Sequence, residues 1–222
     1  MTLSLHFHPF SSFCQKVLIA LYERGVPFEP VVVDLGDTEQ RAALEALWPM
    51  AKFPVLRDDA AGATIAEASL ILEYLDRFGD APPLVPSDRE EALRVRLWDR
   101  VFDNYVELPL QKAVGDNFRP AEARDRYGVE EAKALLARAW AMIDAELERT
   151  GTEWIAGEHF TLADCSAAPA LFYGKIVEPF QGHRHLEAYY IRLRARPSFA
   201  RAVDEARPYR AFFPLPWPPA CD

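Results

Sequence analysis

The amino-acid sequence predicts an α/β domain followed by an all-helical domain, and three observations support this fold class. Up to residue 78, segments in which apolar and polar residues alternate are interleaved with segments of helical period. Residues 79–87 include three prolines and are typical of a linker. From residue 88 the periodicity is helical until a proline-rich end. We therefore expect an α/β domain at 1–78, a linker at 79–87 and a helical domain at 88–222.

The elements of the first domain are predicted in the order strand, helix, strand, helix, strand, strand, helix. Residues 3–7 alternate between apolar and polar side chains and define the first strand. Ser12 followed by Gln15 has the spacing of a capping box, which predicts a helix with Ser12 as its N-cap and Gly25 as its stop. The remaining strands are expected at 29–34, after Pro54 and at 64–65, and the remaining helices at 39–48 and 70–78.

A long helix should open the second domain. Ser87 and Glu90 have capping-box spacing, so Ser87 is its predicted N-cap. Pro109 should kink or end this helix, because proline lacks an N–H and its ring clashes with the preceding turn. Its buried face is expected to hold Leu93, Leu97, Val101, Tyr105 and Leu108.

Glycine, proline and capping residues mark the ends of the later helices and the start of the tail. A helix at 129–148 should end at Gly151, and residues 161–164 form a cap ahead of an apolar helix. Two short helices follow, divided near Arg196–Pro197. The tail, 212–222, is too rich in proline to be helical. An extended strap across the helical domain and a disordered tail both remain open.

Composition excludes several classes of protein. The net charge of −9 argues against general nucleic-acid binding and against anchoring on anionic lipid. No run of about 18 apolar residues predicts a membrane span, and the N-terminus lacks a secretory signal. The three cysteines, Cys14, Cys165 and Cys221, are an odd number with wide gaps, which favours a reducing cytoplasm. Metal and nucleotide motifs are absent from the sequence, so we expect no metal.

Three separated motifs resemble one protein family. They are the helix start at 11–21, the segment Trp48-Pro-Met-Ala-Lys-Phe-Pro-Val-Leu56 and the cap at 160–164. In this order, with the change of domain between them, they are similar to cytosolic glutathione transferases, and to a serine-type, zeta- or tau-like bacterial member. The resemblance implies a thioredoxin-like first domain, a cytoplasmic homodimer and glutathione as co-substrate.

The resemblance also implies how glutathione binds. Pro54 alone predicts a trans proline that starts a strand, whereas in this family the proline is cis. The backbone N–H and C=O of Phe53 would then pair with the cysteinyl part of glutathione, and Lys52 would meet its glycine carboxylate. The implied glutathione-binding residues are Lys52, Phe53, Pro54, Glu67, Ala68 and Ser69.

The residues expected to bind the γ-glutamyl end of glutathione depart from the family pattern. Glu67 is expected to hold the ammonium group, and the N–H groups of Ala68 and Ser69 the carboxylate. The family's usual Glu-Ser pair reads Glu67-Ala68 here, so one hydroxyl contact is lost. Ser69, one position later, could replace it or not.

Three residues are candidates for activating the thiol of glutathione. The resemblance assigns it to Ser11, just before the first helix, where a hydroxyl and the positive end of the helix dipole can face one sulfur. Ser12 is the first alternative, although a capping role suits it better. Cys14 is the second, since a thiol early in a helix tends to have a lowered pKa and could form mixed disulfides.

The predicted function is a glutathione transferase that attacks a small hydrophobic electrophile. The second substrate should lie between the domains against Phe10, Phe102, Tyr105, Phe118 and Trp217. The alternatives are a glutathione-dependent thiol–disulfide oxidoreductase using Cys14, a glutathione-dependent cis-trans isomerase, and a non-catalytic binding module.

Overall fold

A four-stranded mixed sheet forms the first part of the protein, whose computed structural model describes residues 3–218. The strands are β1 (Leu3–Phe7), β2 (Glu29–Val32), β3 (Val55–Asp58) and β4 (Ala63–Ala66), and the helices α1 (Ser12–Arg24), α2 (Thr38–Leu47) and α3 (Ala68–Leu75). The sheet has the order β2-β1-β3-β4; β1 is parallel to β2 and antiparallel to β3, which is antiparallel to β4. The register places Leu5 opposite Pro30 of β2 and Leu56 of β3.

The remainder of the described chain is helical, so the predicted fold class is confirmed. A π-helical segment spans Phe102–Glu107. Short 3₁₀ turns occur at Asp116–Phe118, Ala121–Ala123 and Arg207–Phe212. The helices are α4 (Arg89–Val101), α5 (Leu108–Gly115), α6 (Arg126–Thr150), α7 (Leu162–Val177), α8 (Arg184–Arg194) and α9 (Pro197–Ala206). No helix within residues 3–218 has the length and apolarity needed to cross a bilayer.

Helix α1 is the centre of the hydrophobic core. Every residue from Cys14 to Leu21 is buried, because α1 packs against α3 on one side and against α7 and α9 on the other. Gly25 ends the helix at φ 62°, and Gly151 ends α6 at φ 64°, as predicted. A smaller cluster of Val33, Leu44 and Val55 packs α2 against the sheet.

Two predicted N-caps are wrong by one residue. Ser11, not Ser12, caps α1: its backbone is extended and its Oγ accepts the N–H of Cys14 at 3.4 Å. Ser12 lies inside the helix because its hydroxyl is drawn to the carboxylate of Glu107. Asp88, not Ser87, caps α4, since its carboxylate accepts two backbone N–H groups at 3.0 Å.

The predicted buried face of the first long helix is also wrong, except at Val101. Leu93, Leu97, Tyr105 and Leu108 are exposed, whereas Val95, Trp98, Phe102 and Val106 are buried. Both stripes have helical spacing, but the stripe with Trp98 and Phe102 buries more apolar area and is therefore turned inward.

Pro109 does not end the helical path, because α5 runs through it from Leu108 to Gly115. It follows the π-helical segment, in which the N–H of Leu108 reaches back to the C=O of Asp103. The wider π turn makes room for the proline ring and tolerates its missing N–H.

Arg24, at the end of α1, holds the segment that joins the two parts. Its guanidinium donates to the C=O groups of Leu75, Phe78, Ala81 and Pro82 and pairs with Asp76. One buried side chain thus satisfies the backbone acceptors of an irregular segment.

The described part of the tail packs across the helical domain, which agrees with the predicted strap. Phe212 ends a 3₁₀ turn, contrary to the prediction that the whole tail is non-helical. Phe213 and Trp217 then pack on Phe10 and Tyr173. Residues 219–222, with Cys221, lie outside the described residues.

Candidate functional site

Ser11 lies at the turn between β1 and α1. Its N–H donates to the C=O of His8 at 3.0 Å, which fixes the turn, and its Oγ caps α1. The first turn of α1 contains no acidic residue of its own, so the positive end of the helix can act on a bound anion. Ser11 lines a cavity, so its hydroxyl and the helix N-terminus are suited to stabilise a thiolate within it.

The cavity beside Ser11 has a volume of about 310 Å³ and mostly apolar walls. Two of the predicted pocket residues, Phe10 and Phe118, line it. Phe118 is largely exposed, at 69 %, and is free to contact a bound molecule. The other lining residues are Ser11, Ser12, Glu107, Leu110, Gln111, Val114, Gly115, Tyr173, Phe212, Phe213 and Pro214.

The other three predicted pocket residues lie elsewhere. Phe102 is fully buried in the core against Trp98. Tyr105 is half-exposed on the outer face of the π-helical segment. Trp217 packs behind the cavity, against Phe10, Phe172 and Tyr173. It therefore supports the wall without lining it.

Cys14 is unsuited to act as a nucleophile. Its side chain is fully buried, and this burial raises the pKa of the thiol to about 12, although hydrogen bonds with Ser11 and His8 oppose the rise. The thiolate is therefore not populated at neutral pH.

The loop around Pro54 approaches Ser11 through His8. The Phe53–Pro54 peptide bond is cis, as the family resemblance implies and contrary to the expectation from the residues alone. The imidazole of His8 stacks on Phe53 with the ring centroids 6.1 Å apart. The N–H and C=O of Phe53 have no backbone partner among the described residues, and Lys52 is exposed.

The N-terminus of α3 has free donors. Glu67 precedes it with φ 69°, an unusual conformation for a residue with a side chain, and is exposed. No side chain caps this helix, so the N–H groups of Ala68 and Ser69 are available for an anion. A second cavity of about 380 Å³ opens here, between α3 and α4.

The hydroxyl of Ser69 does not replace the one missing at Ala68. It accepts from Lys16 at 2.9 Å and donates to Asp99 at 2.8 Å, inside a buried polar cluster. Ser69 is therefore left with its N–H as the group that can face a ligand.

That cluster is formed by Lys16, Ser69, Asp99, Arg100, Asp103 and Ser166. Lys16 is 1 % exposed and pairs with Asp99 at 2.5 Å and with Asp103 at 3.1 Å. Burial acts to raise the pKa of Asp99, but Lys16 and hydrogen bonds from Ser166 and Arg100 hold it below its ordinary value. Burial dominates at Asp103 and raises its pKa.

Glu107, His8 and Tyr173 belong to this site but did not emerge from the sequence. Glu107 is buried, and its Oε2 accepts the hydroxyl of Ser12 at 2.8 Å. Burial raises the pKa of this carboxyl to about 7, with a contribution from the charge of Asp103. The available signal was a carboxyl between the apolar residues Val106 and Leu108. Within residues 3–218, no group of three or more His, Cys, Asp or Glu side chains has the arrangement of a metal site.

Comparison with known proteins identifies the family. Residues 5–83 match the model of the glutathione S-transferase N-terminal domain, and residues 111–197 match that of the C-terminal domain. A glutathione S-transferase of Pseudomonas putida is 33 % identical over 164 residues, which cover 73 % of this chain and 70 % of the relative. The chain belongs to the glutathione S-transferase family. The predicted family and the transferase activity are thus confirmed, whereas the hydrophobic electrophile and the serine-type, zeta- or tau-like class stay predictions.

Two further proteins are similar to this chain over most of their length. A crystal structure of a Methylobacillus flagellatus glutathione S-transferase with glutathione bound has a TM-score of 0.82 and 25 % identity, covering 90 % of this chain and 98 % of that one. A Caulobacter vibrioides relative named FtsZ-localized protein A is 28 % identical over 216 residues, covering 92 % of each chain.

Proposed function

We propose that this glutathione S-transferase activates glutathione with Ser11 and delivers the thiolate to an apolar electrophile in the 310 Å³ cavity. This proposal rests on one observation: Ser11 is both the N-cap of α1 and a residue that lines that cavity. Its Oγ accepts from Cys14, so the hydroxyl proton remains free to donate to sulfur.

Glutathione would extend from the Pro54 loop to the N-terminus of α3. Phe53 offers an unpaired backbone N–H and C=O to the cysteinyl part, as in addition of a strand. Lys52 would meet the glycine carboxylate. At the other end, the N–H groups of Ala68 and Ser69 would hold the γ-glutamyl carboxylate, and exposed Glu67 its ammonium group. The glutathione-bound relative from Methylobacillus flagellatus supports this proposal.

A non-catalytic binding module is the second candidate, and one observation favours it. Ala68 lacks the hydroxyl expected there, and the Ser69 hydroxyl is committed to Lys16 and Asp99. The similarity to FtsZ-localized protein A is consistent with a family member whose name states a location and no chemistry. The oxidoreductase alternative is disfavoured by the burial of Cys14. The isomerase alternative uses the same thiolate and differs in leaving glutathione unconsumed.

Calorimetric titration of glutathione, together with the ultraviolet absorbance of bound thiolate, tests the proposal. We expect binding by wild type with a thiolate signal near neutral pH. Ser11→Ala should bind glutathione but lose the signal, and Cys14→Ser, the matched control, should keep it. Absence of binding at millimolar glutathione would favour the binding module, and a signal lost in Cys14→Ser would favour the oxidoreductase.

The protein is further proposed to act in the cytoplasm as a homodimer. Leu70, Leu93 and Leu97 are 58–63 % exposed and lie on the adjoining faces of α3 and α4. The pair between Glu73 and Arg96 holds these faces together. A second copy of the chain would cover this apolar surface.

Light scattering after gel filtration tests the homodimer. Leu97→Glu should convert the dimer to a monomer, because a carboxylate would be buried at the contact. The control Ile191→Glu changes an equally exposed residue on α8 and should remain dimeric. A monomeric wild type would refute the proposal.

A further inference from the structure

A buried carboxyl that the proposed function does not use lies in the wall of the 310 Å³ cavity beside Ser11. Glu107 is the last residue of the π-helical segment and is 3 % exposed. It lines the same cavity as Ser11 and Ser12, among apolar residues such as Leu110 and Val114. Single π turns often occur at functional sites because they redirect one side chain.

The two oxygens of Glu107 are unequally satisfied. Oε2 accepts from Ser12, whereas Oε1 is buried and has no hydrogen-bond partner among residues 3–218. The nearby charged and titratable groups are Lys16 on α1, Asp103 on the same helix and Tyr173 on α7. Lys16 is committed to Asp99, Asp103 and Ser69, and Tyr173 accepts from Gln15. An unpaired buried polar atom is costly, so a bound molecule that pairs with Oε1 would be favoured.

The surroundings of Oε1 indicate that a molecule bound next to it should be a hydrogen-bond acceptor. A carboxyl in an apolar wall favours its neutral form, and here burial brings the pKa to about 7. Because Oε2 already accepts from Ser12, the proton is best held on Oε1, which then becomes a donor. A carbonyl oxygen on an otherwise apolar molecule complements both this donor and the walls.

We propose that Glu107 is a catalytic acid for α,β-unsaturated ketones and aldehydes, donating from Oε1 to the carbonyl oxygen during addition of the thiolate. The sulfur bonds to the β-carbon, the electron pair of the C=C bond moves to form an enolate, and the Glu107 proton passes to that enolate. The carboxylate regains a proton from solvent, which matches the one released when the thiol ionises. This inference rests on the proposed function.

Paired substrates test the acid role. Benzylideneacetone requires enolate protonation, whereas chlorodinitrobenzene undergoes ring substitution and does not. Glu107→Leu should lower kcat/KM roughly 100-fold more for the enone than for chlorodinitrobenzene, as expected for loss of a general acid. Glu107→Gln can donate an N–H but no proton, so it should keep KM for the enone and lose kcat. Glu131→Gln, an exposed carboxyl on α6, is the matched control.

The pH profile provides a second readout. The ratio of the two kcat/KM values cancels ionisation of the thiol. In wild type it should fall about tenfold per pH unit above pH 7, as Glu107 loses its proton, and it should be flat in Glu107→Gln. Equal losses on both substrates, or a flat wild-type ratio, would overturn the acid role while leaving the transferase proposal intact.

A binding measurement separates this inference from the proposed function. Benzylacetone, a saturated ketone, cannot react, and its binding can be followed without glutathione by calorimetry. Its affinity should fall roughly fivefold between pH 6 and 8 in wild type and stay constant in Glu107→Gln. An affinity independent of pH would overturn the inference. Failure of both conjugation reactions with this pH dependence intact would overturn the transferase proposal and the acid step, leaving the carbonyl site.

Discussion

Replacing Lys16 by methionine should destabilise the whole protein, because the ammonium group compensates two buried carboxylates. Asp99 and Asp103 are 2 % and 8 % exposed and both pair with Lys16. Removing one partner of a buried ion pair costs about 3–5 kcal/mol. Arg100 would still pair with both carboxylates, so the lower end applies, about 3 kcal/mol.

Thermal unfolding followed by circular dichroism measures this cost. For a chain of this length, about 3 kcal/mol corresponds to a loss of roughly 6–12 °C in Tm. Lys112→Met is the matched control, because Lys112 pairs with Asp125 at the surface, where an ion pair contributes little to stability. If both variants lost the same small amount, the argument that Lys16 compensates buried charge would be refuted.

The pH dependence of the Lys16→Met variant has a defined sign. In wild type, the lowered pKa of Asp99 stabilises the native state above its unfolded pKa, and this contribution is lost as pH falls through the native pKa. Without Lys16, burial raises the pKa of both carboxyls. The native variant then binds protons more readily than the unfolded chain, so the difference from wild type should shrink between pH 8 and 5. Adding Asp99→Asn should recover part of the loss at pH 8.

Three further changes test other parts of the structure. Urea unfolding should show that the free energy of unfolding of Glu107→Gln rises by roughly 2–4 kcal/mol relative to that of wild type as the pH increases from 5 to 8. The reason is that the pKa of Glu107 is raised to about 7, so the ionised carboxylate destabilises native wild type at high pH. A difference that does not change with pH would contradict this sign. Asp164→Ala should cost at least about 3 kcal/mol, since it leaves the N–H groups of Thr161 and Ile155 and the hydroxyl of Tyr189 unpaired; Asp164→Asn should cost less. Gly174→Ala should cost about 1–3 kcal/mol, because its Cβ would lie 2.9 Å from Trp140. Gly115→Ala, whose Cβ meets no atom within 4 Å, should be neutral, and an equal loss there would refute the packing argument.

Local signals in the sequence predicted elements whose cause is local. Gly25 and Gly151 stop helices because both adopt positive φ, a property of the residue and its immediate neighbours. The Asp164 carboxylate accepts the N–H of Thr161 across three residues, which is the spacing the sequence shows. Alternation in 3–7 likewise follows from the pleat of β1.

Features set by distant partners could not be predicted in this way. Ser12 does not cap α1 as predicted, because its hydroxyl donates to the carboxylate of Glu107, 95 positions away. The inward face of α4 was decided by competition between two apolar stripes, which spacing alone does not rank. The family motifs singled out Ser11, which lines the cavity, and the Pro54 loop, and the roles of these residues stay predictions. The motifs did not indicate Glu107, which is brought to the cavity by a π turn.

The central position of α1 has a consequence for the order of events during synthesis. The ribosome releases α1 long before α7 and α9, which cover the side that α3 leaves open. Until those helices emerge, the nascent first domain presents the surface of α1 that α7 and α9 later cover. Such a surface favours aggregation and binding by chaperones. The two halves of this chain should therefore mature as one cooperative unit, and a fragment released early should be a target for quality control.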